Sequence, residues 1–140
     1  MMQIPPVLTA VILALVLSQG FKIARIIFVH RQHFAFADLF VTGGMPSSHS
    51  AMVVALVVAI GLTEGISNLF VLSAVLAAIV IRDALGVRRT AGEEGKLLNR
   101  IISMAHFKVK QIHYSLGHTP AEVAVGCLIG ALCGLVVVWL

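Results

Sequence analysis

Two histidines in this chain stand where apolar segments begin. His49 lies in "GGMPSSHSA", Gly43 to Ala51, and His118 in "GHTPAEVAVG", Gly117 to Gly126. One imidazole can attack phosphorus while another protonates the departing oxygen, and cations can hold the non-bridging oxygens meanwhile. Candidate cations are Lys22, in the first apolar run, and the adjacent Arg88 and Arg89 of "DALGVRRTAG". Asp83, in the same stretch, could orient one of those guanidiniums. Phosphoryl transfer by such a set requires no metal and no cofactor, and none is expected. His30, His33, His106 and His113 lack the spacing of a zinc site and read as interfacial residues.

Each motif also has a purely structural reading. Gly43 and Gly44 free the backbone, Pro46 can begin a helix, and Ser47 or Ser48 can cap it. The same helix start would offer N–H groups and partial positive charge to a phosphate. Arg88 and Arg89, following Gly86, suit a phosphate clamp in a glycine-containing loop, but membrane orientation alone could require them. Thr119, Pro120 and Glu122 fit a capping box, which accounts for Glu122 without His118. Alternatively, Glu122 pairs with His118 and fixes its tautomer. The two duties are expected to compete for one carboxylate.

The elements that must position these residues follow from composition. Of 140 residues, 59% are hydrophobic and 11% charged, and mean hydropathy is +1.03. A soluble domain of this size would carry more polar surface. The pattern predicts an all-α integral membrane bundle of about four transmembrane helices in a single domain, residues 1–140, plus an interfacial amphipathic helix. The apolar runs are Val7–Val29, Ser47–Thr63, Ile66–Leu85 and Pro120–Leu140. The second spans roughly 25 Å as a helix, so its start is drawn into the membrane as a shallow recess. The first run lacks the basic residue and cleavage site of a signal peptide and reads as a retained helix. Cys127 and Cys133 read as small packing residues.

All ten Lys and Arg residues fall in or near the first and third connections. The positive-inside rule makes that side cytoplasmic, with both termini outside. In the third connection, 86–119, residues Leu98, Ile101, Ile102, Ala105, Val109, Ile112 and Leu116 fall at helical spacing, with Phe107 and Tyr114 as anchors. In the first run, Ser18, Lys22 and Arg25 share about 60° of arc with Gln19 at its edge, either as a functional stripe or as residues snorkelling to the interface. Gly126, Gly130 and Gly134 form a ridge that could serve packing within the chain or a homodimer.

The motifs "GGMPSSHSA", "DALGVRRTAG" and "GHTPAEVAVG", with the Gln19/Lys22 pair and the "LLN" at Leu97 to Asn99, resemble the divergent bacterial and plastid branch of the type 2 phosphatidic acid phosphatase superfamily. That branch is related to acid phosphatases and vanadium-dependent haloperoxidases. The resemblance covers nearly the whole chain. It implies that His49, in a Pro-Ser-Ser-His version of the family's Pro-Ser-Gly-His, is general acid. It implies that His118 is the nucleophile, oriented by Glu122 in place of the family's aspartate. Lys22 stands for the first-motif lysine. The family's phosphate-binding arginine falls at position 112, which here is Ile112, so Arg88 or Arg89 must substitute. Fewer helices than the family's usual number imply a minimal bundle or a dimer.

The leading expectation is a membrane phosphatase, a phosphoric monoester or diphosphate hydrolase. It would act on a lipid phosphate or diphosphate through a phosphohistidine at the cytoplasmic face of a bacterial plasma membrane or a plastid membrane. His118, His49 and Glu122 would be catalytic; Lys22, Ser47, Ser48, Arg88 and Arg89 would bind phosphate, with Asp83 orienting. The partners are the bilayer and the lipid substrate, with no nucleic acid. The alternative is a non-catalytic membrane protein that binds anionic phospholipid or scaffolds partners. A transporter subunit fits less well, because the polar residues gather at one face rather than at mid-membrane.

Overall fold

The computed structural model describes residues 5–28, 44–106, 109–112, 114 and 117–140. Among these residues five helices follow in order: α1 Pro6–Phe28, α2 Ser48–Glu64, α3 Asn68–Leu85, α4 Val87–Met104 and α5 Pro120–Trp139. Among the described residues, α1, α3 and α5 lie in segments long and apolar enough to cross a membrane, while α2 is a shorter apolar helix. The protein is a membrane helical bundle. Gly43, Arg31, His30, His33, Phe107, Lys108, His113 and Leu116 lie outside the described residues.

The packing inverts the soluble pattern. Ile12, Val16, Leu72, Ile79, Leu128 and Trp139 are exposed, whereas the buried apolar set is mostly alanine, including Ala10, Ala14, Ala51, Ala55 and Ala59. Lipid tails accommodate a leucine as well as a protein core does, so helix association falls to close packing of small residues. On α1 the buried stripe Ala10, Ala14, Ser18 continues one turn further to Lys22. Arg25, in contrast, is exposed. Ala14, Ala51, Ala55 and Cys133 form the central cluster where α1, α2 and α5 meet.

The glycine ridge of α5 is consumed inside the chain. A Cβ at Gly126 would strike the Ser47 carbonyl, one at Gly130 the Ala51 carbonyl, and one at Gly134 would lie 2.8 Å from the Val58 side chain. All three glycines are buried. Of the two uses left open for Gly126, Gly130 and Gly134, the structure shows packing within the chain: α2 lies on that ridge.

The third connection also differs from its sequence reading. Its helix begins at Val87, directly after Gly86, and ends at Met104. Arg88 and Arg89 are thus in the first turn of α4 rather than in a loop, and Val109 and Ile112 lie beyond the helix. The apolar periodicity, which starts at Leu98, placed the helix too late because Gly92 and Gly95 carry no apolar side chain to extend it. They are instead the buried face of α4. The returning chain lies on that face. The Asn99 side-chain Nδ2 donates to the Ile112 carbonyl, and the Ile112 N–H donates to Asn99 Oδ1, both at 2.8 Å. A Cβ at Gly95 would meet Tyr114, and one at Gly117 would lie 2.6 Å from the Arg89 nitrogen. Tyr114, read as a membrane anchor, is packed over Gly95. The strap thus runs back along α4 and delivers His118 to the end of α3. On the remaining surface of α4, Leu97, Leu98, Ile101 and Met104 are exposed, the unpartnered apolar face of an interfacial helix.

Two outcomes test this packing. Gly130→Ala should lower the stability of the purified protein by about 1–3 kcal/mol in thermal unfolding, since backbone rather than a flexible side chain must move. Gly20→Ala, whose Cβ would meet nothing within 4 Å, should be neutral. Asn99→Ala removes both hydrogen bonds to Ile112, each worth about 1 kcal/mol. Amide exchange at Ile112 should then accelerate by roughly tenfold or more, while exchange within α1 stays unchanged.

Candidate active site

Helix α2 starts at a built N-terminus. Ser47 is the N-cap, and its hydroxyl oxygen accepts from the Ser50 N–H at 3.4 Å. The Ser47 and Ser50 hydroxyls also share a hydrogen bond of 2.9 Å. Pro46, Ser47 and Ser50 are fully buried, and Ser48 nearly so. The Ser47 and Ser50 hydroxyls are tolerated in an apolar bundle because each has such a partner. Of the two serines proposed as caps, Ser47 takes the role and Ser48 occupies the first turn. His49 follows on the exposed side of that turn. The first-turn N–H groups of Ser48 and His49 have no intrahelical acceptor, as in any α-helix.

Helix α5 starts beside it. Thr119 and Glu122 form the full capping box, with the Glu122 N–H donating to the Thr119 hydroxyl oxygen at 3.3 Å. Glu122 Oε2 accepts the Thr119 N–H at 3.0 Å and lies 3.2 Å from His118 Nδ1. The competition expected between capping and histidine pairing is therefore corrected: one oxygen does both. Because an ionised carboxylate only accepts, Nδ1 is the donor of that hydrogen bond, and in the neutral imidazole this tautomer leaves the lone pair on Nε2. His118 is 8% exposed, and its backbone N–H donates to the Ala84 carbonyl at 3.2 Å. Ala84 sits in the last turn of α3, where carbonyls lack intrahelical donors.

The two helix starts are stitched together. The Ser47 N–H donates to the Glu122 carbonyl at 3.1 Å, and the Ser47 carbonyl lies over Gly126. One residue thus caps the His49 helix and binds the backbone of the helix that orients His118.

Lys22 and Arg88 approach this junction. Lys22 is 7% exposed, and the charge of Glu122 reaches it. Arg88, His118, Lys22 and Asp83 lie within electrostatic reach of His49. Arg88 pairs with Asp83, and Arg89 with Glu93 at 3.3 Å. Both pairs are solvent-facing and contribute little to stability, up to about 1 kcal/mol, so the guanidiniums can exchange partners. Gly117, at φ +40°, lets the strap lie against the Arg88–Arg89 backbone. Ile112, where the family's arginine would stand, is 45% exposed and held by Asn99. Gln19, one turn from Lys22, buries its Oε1 with no hydrogen-bond partner among the described residues. The sequence reading missed Asn99, Gly95 and Gly117 as the parts that position His118. Their signal was the spacing of Gly92, Gly95 and Asn99 along one face of a helix. No group of His, Cys, Asp and Glu that could hold a metal occurs among the described residues.

Comparison with known proteins agrees with this architecture. A family model described as "Divergent PAP2 family" matches residues 5–133. The "Uncharacterized membrane protein YuiD" of Bacillus subtilis (strain 168) is 42% identical over 114 residues, covering 70% of this chain and 72% of that protein. No solved structure matches the chain. With the match spanning most of the sequence, the chain belongs to the divergent PAP2 family, a membrane family related to phosphatases.

Proposed function

We propose that the protein is a membrane phosphatase acting on a lipid phosphate or diphosphate through a phosphohistidine on His118. The observation that carries this reading is the Glu122 Oε2–His118 Nδ1 contact, which turns Nε2 into a nucleophile. Nε2 attacks phosphorus and forms the N–P bond as the P–O bond to the lipid breaks. His49 gives its proton to the departing oxygen. Water then attacks phosphorus, His49 takes its proton, and the N–P bond breaks to release phosphate and restore His118. Lys22, Arg88, Arg89 and the Ser47–Ser48 helix start hold the non-bridging oxygens, where charge gathers in the transition state. Asp83 keeps Arg88 oriented until phosphate arrives.

Orientation follows from charge. The basic residues all lie on the side of the two histidines, which supports a site on the cytoplasmic face, with both termini outside. A bacterial plasma membrane fits the relative's source. A lipid substrate suits the geometry because the bilayer holds the tail, and the site needs to grip only the head group.

Purified protein should release phosphate from phosphatidic acid or a polyprenyl diphosphate. His118→Ala should abolish turnover, and His49→Ala should lower it by roughly 10²–10⁴-fold. Glu122→Gln preserves a capping-box side chain but removes the carboxylate, so turnover should fall by roughly 10²–10⁴-fold with little change in Tm. Full activity in both histidine variants would refute the mechanism. An equal loss of Tm and activity in Glu122→Gln would reduce Glu122 to a helix cap.

A further inference from the structure

A second feature lies along α3, lined by residues that take no part in the histidine site. Ala78, Ile81, Arg82, Leu85 and Gly86 line an open groove of about 600 Å³. Residues 78, 81, 82 and 85 share one helical face. Ser73, Ala77 and Ala84, buried against the bundle, occupy a different one. Gly86 has no side chain at the corner where α3 passes into α4, so the groove stays open there. Its floor is apolar and its one charged group is Arg82.

Arg82 differs from its neighbours. Arg88 and Arg89 each have a carboxylate partner, whereas no carboxylate pairs with Arg82 among the described residues. Asp83, the adjacent residue, turns to Arg88 instead. The corner between a transmembrane helix and an amphipathic interfacial helix lies at the depth of lipid phosphates. There an arginine can grip a phosphate with two parallel N–H bonds while an acyl chain follows the apolar face below.

We propose that this groove is a binding site for an anionic phospholipid, with one acyl chain along Ala78, Ile81 and Leu85 and the phosphate on Arg82. The site is separate from the histidine centre and does not rest on catalysis there. An anionic lipid is the occupant because a choline or ethanolamine head group brings a second cation to Arg82, while phosphatidylglycerol brings none. The bound lipid would brace the α3–α4 corner. That corner supplies the Ala84 carbonyl and the Arg88–Arg89 backbone on which His118 rests.

The test is lipid retention by the purified full chain, read by native mass spectrometry in detergent with phosphatidylglycerol or phosphatidylcholine added. All measurements are made in a Lys22→Gln/Arg88→Gln background as well, which removes cations assigned to the histidine site, so that lipid held there is not counted. The unaltered groove should retain phosphatidylglycerol about tenfold better than phosphatidylcholine. Arg82→Gln should erase that preference, and Ala78→Trp, which fills the floor, should lower retention of both lipids. Lys96→Gln/Arg100→Gln, on the basic face of α4, should leave the preference intact. Phosphatidylglycerol should also raise Tm, and Arg82→Gln should cancel the rise while keeping the lipid-free Tm. A preference that survives Arg82→Gln, or one lost in the Lys96/Arg100 variant instead, overturns the proposal.

Discussion

The absence of two side chains fixes the rest of this molecule. Gly126 and Gly130 leave room for the Ser47 and Ala51 carbonyls to lie directly on α5. In a bilayer no hydrophobic force separates correct from incorrect helix pairings, because lipid solvates apolar surface everywhere. Close backbone contact provides the discrimination instead. It sets the register of α2 against α5 to a single turn, and that register places the His49 helix start beside Glu122. The Ser47 N–H bond to the Glu122 carbonyl then locks the junction. Residues distant in the sequence meet because the chain lacks bulk between them.

A second economy operates at Glu122. Its Oε2 ends the orphan N–H at the α5 start and holds the His118 imidazole. A cap that is also an orienting base partner couples local folding to site geometry: wherever α5 begins correctly, His118 is aimed. The α4 strap adds the other constraint. It lays Gly117 on the start of α4 and passes the His118 N–H to the end of α3. Residues 117–119, with His118 at their centre, are therefore held by three helices, although His118 lies outside all of them.

Much of this was legible in the sequence, for physical reasons. The membrane bundle followed from apolar runs too long for a soluble core, and the capping box from Thr119, Pro120 and Glu122. His49, His118, Lys22 and the arginine pair could be grouped from the side of the membrane on which their helices end. Three things were not legible. The start of α4 was hidden because Gly92 and Gly95 lower helix propensity, and only the strap packed against Gly95 explains the glycine there. The α5 ridge admitted two partners, and pairwise spacing does not say whether α2 or a second chain fills it. The dual role of Glu122 depended on one oxygen lying within reach of two donors, which is a matter of side-chain geometry. Ile112 reads as a lost arginine in the sequence. In the structure its backbone is held by Asn99, so the residue keeps a place in the strap that is independent of its side chain.

The central claim is that two helix starts form one phosphate site around His118 Nε2. A structure determined with vanadate, which takes the shape of the phosphoryl transition state, addresses it directly. The account predicts vanadium bonded to His118 Nε2, its oxygens contacted by Lys22, by Arg88 or Arg89 and by the Ser48–His49 N–H groups, and His49 on the apical oxygen opposite. Vanadate bound elsewhere, or His118 Nε2 left without it at saturating concentration, would contradict the account.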